Sequence, residues 1–377
     1  MLNSRIKAII AVFFVVVVMG FNVPAKAERV QNLYTGAWPV QDQSSAARHQ
    51  AIAESLLQAL VRASGSRDVS RSPVIQSALA NAEDYLRRYS YQRLSAAEQM
   101  IYEKPLLLKA TFDRRSILEL LKSASLPIWG EERPSGLFWI AYGDDTKRQV
   151  ASEESQFIKA GLMIAAESRG LPVTLPMMDI DDQMALETSD VWGRIESSID
   201  EASKRYARDY WVAGQLLETN SQWQGRWLVS MNGRTESFST SGLTSYEAIQ
   251  AAVHRVANSL ASKLAVVLSE DAQEVLVSVE NITDFATFAR IQKHLNSLSM
   301  VRSASAVEVS KDTVLFKVES LTSPQNLIEA IKIGNNLQRS ESGFGYDDRY
   351  GDGYGEGFDK NNARKLRGDF HFVWGTP

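Results

Sequence analysis

Apolar positions recur at two periods along the chain, and each change of period marks a new element. Residues 32–40 (NLYTGAWPV) read as a strand. Residues 44–64 switch to helical spacing, with Ile52, Leu56, Leu60 and Ala63 on one face and Arg48, Glu54 and Gln58 on others. Ser44 or Ser45 suits the N-cap, and Gly65 suits the left-handed residue that ends a helix. Shorter helices are predicted over 73–85, a strand over 106–112, and a helix through Leu121 capped by Asp113. LFWIAY at 137–142 is a strong strand pattern, followed by a helix from a cap at Ser152 to Arg169, ended by Gly170. Residues 171–175 read as a short buried strand, interrupted by Pro172 and closed by Pro176, with helical segments on to Tyr206.

Three strands over 210–218, 223–231 and 234–240 then form a meander, with Asn232 and Gly233 as its hairpin turn. Thr244 and Glu247 form a capping box that opens a long helix. Its apolar stripe is Tyr246, Ile249, Val253, Val256, Leu260, Leu264 and Val267. Strand, helix, strand, strand, helix follow over 274–279, 284–298, 301–309, 313–318 and 324–335, the βαββα order of a ferredoxin-like module. The expected fold class is α+β: a mixed-sheet middle domain (131–270) with covering helices, an N-terminal α+β domain (28–130) and a ferredoxin-like C-terminal module (271–340).

The two ends behave differently. Arg5 and Lys7 precede an apolar run over 8–21, and Ala25-Lys26-Ala27 forms an A-x-A site, the order of a secretory signal cleaved after Ala27. The run is shorter than the ~20 residues of a membrane span, and no later stretch is long and apolar enough for one. The expected location is periplasmic. Residues 341–377 form a tail: Gly, Tyr and Asp dominate 342–357, and Phe370, Phe372 and Trp374 then alternate on one face of a potential strand. Strand addition on an exposed sheet edge, of this chain or of a partner, is the expected fate of that segment.

Composition narrows the chemistry. The 41 basic residues against 45 acidic ones give a net charge of −4, and signal cleavage removes three cations and no anion, which argues against nucleic acid as a partner. There is no Cys, hence no disulfide, thiol nucleophile or thiolate ligand. No phosphate loop, G-x-S-x-G elbow or H-E-x-x-H pair is present; His49, His254, His294 and His371 are scattered. The reading contains no catalytic residue, no cofactor and no metal. Part of a calcium-loop pattern runs over 348–359, but Tyr350 stands at a ligand position and no amphipathic helix flanks it, so a solvated linker fits better. Trp211, Trp223 and Trp227 lie on or near the meander, where filling the core beneath the long helix outweighs an exposed aromatic strip.

The candidate binding residues follow the 171–175 strand, where an open α/β sheet holds its ligands: Asp179, Asp181 and Asp182, with Asp190 and Trp192 behind them. As an acidic first helical turn the three aspartates favour the helix dipole, and losing them would cost at most ~1–2 kcal/mol. Phe370, Phe372 and Trp374 complete the candidates.

LYTGAWPVQDQSSAARHQAIAESLLQALVRASGSRDV, together with LPVTLPMMDIDDQ, VWG and RYARDYWVAGQL, resembles an uncharacterised family of bacterial envelope proteins, domain of unknown function number 2066. The resemblance extends to about Arg339 and implies an envelope setting but no catalytic residue. The function expected is non-catalytic: a periplasmic binding or assembly factor that engages another envelope protein. The alternative is a periplasmic hydrolase using carboxylates in the 179–190 stretch.

Overall fold

The computed structural model describes residues 28–375 apart from 145–146, 232, 269–270, 333–336 and 340–368. The expected signal segment, the stretch 342–357 and the partial calcium-loop pattern therefore lie outside the described residues. The fold is α+β, with mixed sheets and, among the described residues, no barrel.

After the two-residue β1 (Glu28–Arg29), the first sheet is built from β2 (Thr35–Val40), β3 (Leu86–Arg93) and β4 (Leu106–Phe112), in the order β2-β4-β3, all antiparallel. Between β2 and β3 come α1 (Ser45–Ser64) and α2 (Pro73–Ala80); α3 (Ala96–Tyr102) precedes β4 and α4 (Arg114–Ser123) follows it. Ser44 caps α1 by accepting from the Ala47 N–H, and Gly65 ends it at φ 73°. The predicted stripe of α1 is buried against Leu108, Ala110 and Phe112 of β4. Strand β3 has no counterpart in the apolar pattern because most of its side chains are exposed.

The second sheet follows β5 (Glu132–Arg133), which pairs with β1. Its elements are β6 (Gly136–Gly143), β7 (Arg148–Val150), α5 (Gln156–Arg169), β8 (Val173–Thr174), α6 (Ile180–Ala185), α7 (Thr188–Gly193), α8 (Glu196–Ser203), β9 (Tyr210–Thr219), β10 (Gln222–Met231), β11 (Arg234–Gly242) and α9 (Ser245–Leu264). The order is β11-β10-β9-β6-β7, with β8 on the same edge of β6 as β7; β6 runs parallel to β9 and β8. Helices α5 and α9 cover one face over Phe138, Ile140, Val212 and Trp227, and α6–α8 cover the other over Leu137, Trp139, Trp211 and Ala213. Burial on both faces is why 137–142 lacks alternation. The strand expected over 171–175 shrinks to Val173–Thr174, because Pro172 has no N–H to pair; its carbonyl instead accepts from the Gly136 N–H at 2.9 Å.

The third sheet holds β12 (Gln273–Glu280), β13 (Val301–Ser310), β14 (Thr313–Ser320), β15 (Leu337–Arg339) and β16 (Phe370–Trp374), with α10 (Phe285–Ser297) after β12 and α11 (Pro324–Lys332) after β14. The βαββα order is present, and the strands lie side by side in the order β13-β14-β12-β16-β15. The aromatic segment does not add to an edge. It is inserted between β12, to which it runs parallel, and β15, to which it is antiparallel. A strand with two large buried rings gains more from neighbours on both sides than from a half-exposed edge.

Candidate functional site

Asp179 is the N-cap of α6 and accepts from the Asp182 N–H at 3.0 Å. Arg205, just past α8, closes on it with both η nitrogens, at 2.7 and 2.9 Å from the two Asp179 oxygens. The same guanidinium donates to Asp182 at 2.8 Å and lies 3.8 Å from Asp181. Asp182 is fully buried and also accepts from the Tyr206 hydroxyl and from the Met178 N–H at 2.8 Å. Tyr206 packs edge-on against Trp139 in the core.

The Arg205 hydrogen bonds, and then the Asp182 N–H, hold the Asp179 carboxyl down at about 2. The Tyr206 hydroxyl is held above its ordinary range, first by burial and then by Asp182. Two carboxylates, a guanidinium and a phenol thus form a closed lock that ties α6 to the segment after α8. Asp181 is the outlying member, with an 80% exposed side chain.

The other sequence candidates lie elsewhere. Trp192 is half-buried in α7, with the Arg148 guanidinium 4.3 Å above its ring. Phe372 and Trp374 are buried in the third core, Phe370 is half-buried against it, and Arg290 lies over Trp374. The tail aromatics are docked in cis. Trp211 and Trp227 are buried on opposite faces of the second sheet, and Trp223 packs partly buried on the α9 side.

Three arginines that the pattern did not single out, Arg62, Arg133 and Arg169, are buried where the first and second sheets meet. They bind backbone carbonyls rather than acids. Arg133 donates to the carbonyls of Arg169 at 2.8 Å, Gly170 at 3.0 Å and Trp129 at 3.1 Å, and to that of Arg62, while stacking 4.0 Å from the Trp129 ring. Arg169 donates to the Gly65 carbonyl at 2.7 Å and to Asn258 at 2.9 Å. Arg62 donates to the Thr35 carbonyl. Both glycines that end helices therefore offer their carbonyls to the junction. Gly170, at φ 61°, disfavours a side chain, since a Cβ there would lie 2.7 Å from the Arg133 guanidinium, which would have to shift.

Beside this junction opens a cleft of about 510 Å³, within the range of small-ligand sites. One wall, from the first sheet's side, carries Trp38, Glu54, Gln58, Arg67 and Tyr102; the other carries Ile164, Ser168, Arg169, Tyr246, Gln250 and His254. Several of these groups have unspent bonding capacity. Gln250 donates to the Tyr246 hydroxyl at 2.6 Å, so the Tyr246 proton is free to point elsewhere. Arg169 approaches His254 Nδ1 at 3.4 Å. An arginine only donates, so Nδ1 accepts and the proton of the neutral ring sits on Nε2. Burial, then Arg169 and Arg67, push His254 down to about 4, and burial raises the Tyr246 hydroxyl to about 12. A groove of about 580 Å³ beside α4 is lined largely by exposed charges of that helix, with fewer convergent groups.

The cleft was not legible in the sequence, because its walls come from positions far apart and carry no shared motif. The one local signal is the placement of Gly65 and Gly170 at the helix ends that bound the junction.

Residues 27–130 match a family model described as a domain of unknown function (DUF8605). An uncharacterised family is thereby supported for the part of the chain that holds the first sheet. No curated protein matches the chain. Among solved structures, the C-terminal domain of LpoB from Salmonella enterica aligns over 29% of this chain and 83% of that one, at 12% identity and a TM-score of 0.21. A crystal structure of an uncharacterized protein aligns over 35% of this chain and 95% of that one, at 9% identity and a TM-score of 0.12. Likeness at these scores transfers neither fold nor function. No helix among the described residues is long and apolar enough to cross a membrane.

Proposed function

We propose that this chain is a non-catalytic binding or assembly factor of the bacterial periplasm, exported by a signal peptide cleaved after Ala27, whose cleft engages another envelope component. The observation that carries the reading is a contrast between the two polar clusters. The acidic cluster spends its hydrogen bonds on Arg205, Tyr206 and its own helix start. The cleft keeps donors, the Tyr246 hydroxyl and His254 Nε2–H, without protein acceptors among the described residues. The periplasmic setting rests on the charged, apolar, small-residue order of segment 1–27 and on the resemblance to family number 2066. The division into units 28–130, 131–270 and 271–340 accompanies the proposal.

A hydrolase built on the 179–190 carboxylates fits less well. A general acid must carry a proton near the working pH, whereas Asp179 stays ionised down to about pH 2. Its oxygens are held by Arg205, which leaves them little freedom to act as a base.

The test is affinity purification of the tagged, exported chain from an envelope extract. Ser168→Trp fills the cleft with an indole, and Asp181→Asn alters the most exposed aspartate of the acidic cluster. The proposal expects a component that co-purifies with the wild type and with Asp181→Asn but not with Ser168→Trp. Retention by Ser168→Trp together with loss from Asp181→Asn overturns it. Mass spectrometry of the exported form is expected to begin at Glu28, and an intact Met1 form in the membrane fraction contradicts the signal cleavage.

A further inference from the structure

We propose that the cleft recognises an oxyanion, a carboxylate or phosphate monoester carried on an apolar stem, which the bound envelope component presents. This rests on the binding role proposed for the cleft and adds its chemistry.

The first support is a charge imbalance. Arg62, Arg133 and Arg169 are at most 2% exposed, and none forms an ion pair with a carboxylate among the described residues. Carbonyl oxygens satisfy their N–H groups without cancelling their charge. Arg67, at the cleft mouth, is exposed and makes no hydrogen bond or ion pair among the described residues. Glu54 is the carboxylate of the lining; against it stand Arg67 and Arg169, with Arg62 and Arg133 buried beside them. Glu167 acts on Arg62, and Tyr34 and Glu131 on Arg133, through the field and without an ion pair, so positive charge stays in excess. Excess charge in a partly desolvated wall is costly, and an incoming anion relieves it. The mutual strain is visible in Arg169, which burial and then Arg67 lower to about 10.

The second support is independent of net charge: the lining is rich in donors. The Tyr246 hydroxyl already accepts from Gln250 and retains its proton. The tautomer fixed by Arg169 leaves an N–H on His254 Nε2. Tyr102 lines the cleft with a hydroxyl that has no partner among the described residues. Behind that surface the fully buried Nε–H of Arg169 has no acceptor among the described residues, which adds to the positive character of the wall. The Gln58 oxygen, an acceptor that could have competed, is taken by the Ala37 N–H at 2.6 Å. Convergent donors beside arginines suit the acceptor-only oxygens of a carboxylate or phosphate. The stem follows from the rest of the wall, where Trp38, Leu57, Val61 and Ile164 supply apolar surface.

The experiment uses the full mature chain and isothermal titration with four probes sharing one six-carbon stem: hexanoate, hexyl phosphate, hexanamide and hexylammonium. The expected result is binding of at least one anion about tenfold or more tighter than the amide, a difference of about 1.4 kcal/mol. The ammonium is expected not to bind. The two anion arms decide between carboxylate and phosphate. Arg67→Gln, on an exposed side chain, should keep the melting temperature and reduce anion affinity several-fold while leaving the amide unchanged. A fall in anion affinity at raised salt provides a second readout.

Equal affinity for hexanamide and the anions overturns the inference, as does an Arg67→Gln protein that binds the anions as the wild type does. Absence of binding by every probe at millimolar concentration overturns it too. Such failures remain distinct from failure of the binding role: Ser168→Trp removes the co-purifying component by bulk, whatever the charge of the group that enters.

Discussion

Substituting the three aspartates one at a time should give a steep and ordered stability series, because their surroundings differ. Asp182→Ala removes the acceptor of three donors at a fully buried site: Arg205, the Tyr206 hydroxyl and the Met178 N–H. Arg205 keeps both Asp179 oxygens, so the loss falls mainly on Tyr206 and Met178. Hydrogen bonds to a charged acceptor contribute about 1.5–3 kcal/mol each, and a stranded buried donor costs about 1–3 kcal/mol. A total near 3–4 kcal/mol is expected. Asp179→Ala loses a helix cap and a bidentate arginine contact on a side chain that is 41% exposed, which after solvent screening leaves about 1–2 kcal/mol. Asp181→Ala loses a 3.8 Å contact on an 80% exposed side chain and should stay within about 0.5 kcal/mol. Replacing all three therefore costs more than the ~1–2 kcal/mol expected of a bare acidic first turn. Urea unfolding followed by tryptophan fluorescence is the assay, since Trp139 packs 6.0 Å from Tyr206. A flat series, or one in which Asp181 is the costliest position, would refute the lock.

Other outcomes follow from the same structure. Deleting residues 369–377 should lower the stability of the isolated chain, because it strips Phe372 and Trp374 from the third core and opens β12 and β15; unchanged melting would show that β16 does not hold its place in cis. Leu260→Asp should unfold the second sheet, since Leu260 lies on the buried face of α9, packed into the core against that sheet, and an aspartate there has no partner; an unaltered circular dichroism melt counts against that packing. Acid should destabilise the fold between pH 6.5 and 4. His254 and His294 are each lowered by burial from 6.5 to about 4, so the folded chain takes up their protons later than the unfolded chain. Their contribution is complete above pH 6.5 and lost as the pH falls through 4. Histidine-to-glutamine variants at both positions should flatten the melting profile in that window, and a profile identical to wild type would contradict the assignment.

The sequence conveyed the fold best where burial is one-sided or caps are explicit. The α1 stripe, Asp113 ahead of α4, the hairpin strands β10 and β11 and the cap of α9 all stand as their side chains dictate. Strand β3 escaped notice because LRRYSYQR keeps most of its side chains in water, which erases the alternation that betrays a strand. The place of β16 was also illegible. Alternating aromatics announce a strand, but pairing partners depend on a gap between β12 and β15 that only the assembled sheet reveals.

At the acidic cluster the carboxylates stood out as a local run, whereas their partner Arg205 lies 23 residues beyond Asp182. The local run therefore marks a cluster already satisfied by its own neighbours. The cleft went unseen for the converse reason. Nothing local marks Arg62, Arg133 and Arg169 as buried, because the carbonyls that hold them come together only when the sheets and helix ends meet.

The central claim, that the cleft rather than the acidic cluster meets the envelope component, is tested most directly by photocrosslinking in cells. A photoreactive phenylalanine analogue is placed at position 38 in the cleft, at position 181 in the acidic cluster, or at position 89, where Tyr89 is 45% exposed on an edge strand. The account predicts a discrete adduct from position 38 that Ser168→Trp abolishes, and none from positions 181 and 89. An adduct from position 181 with none from position 38 would contradict it.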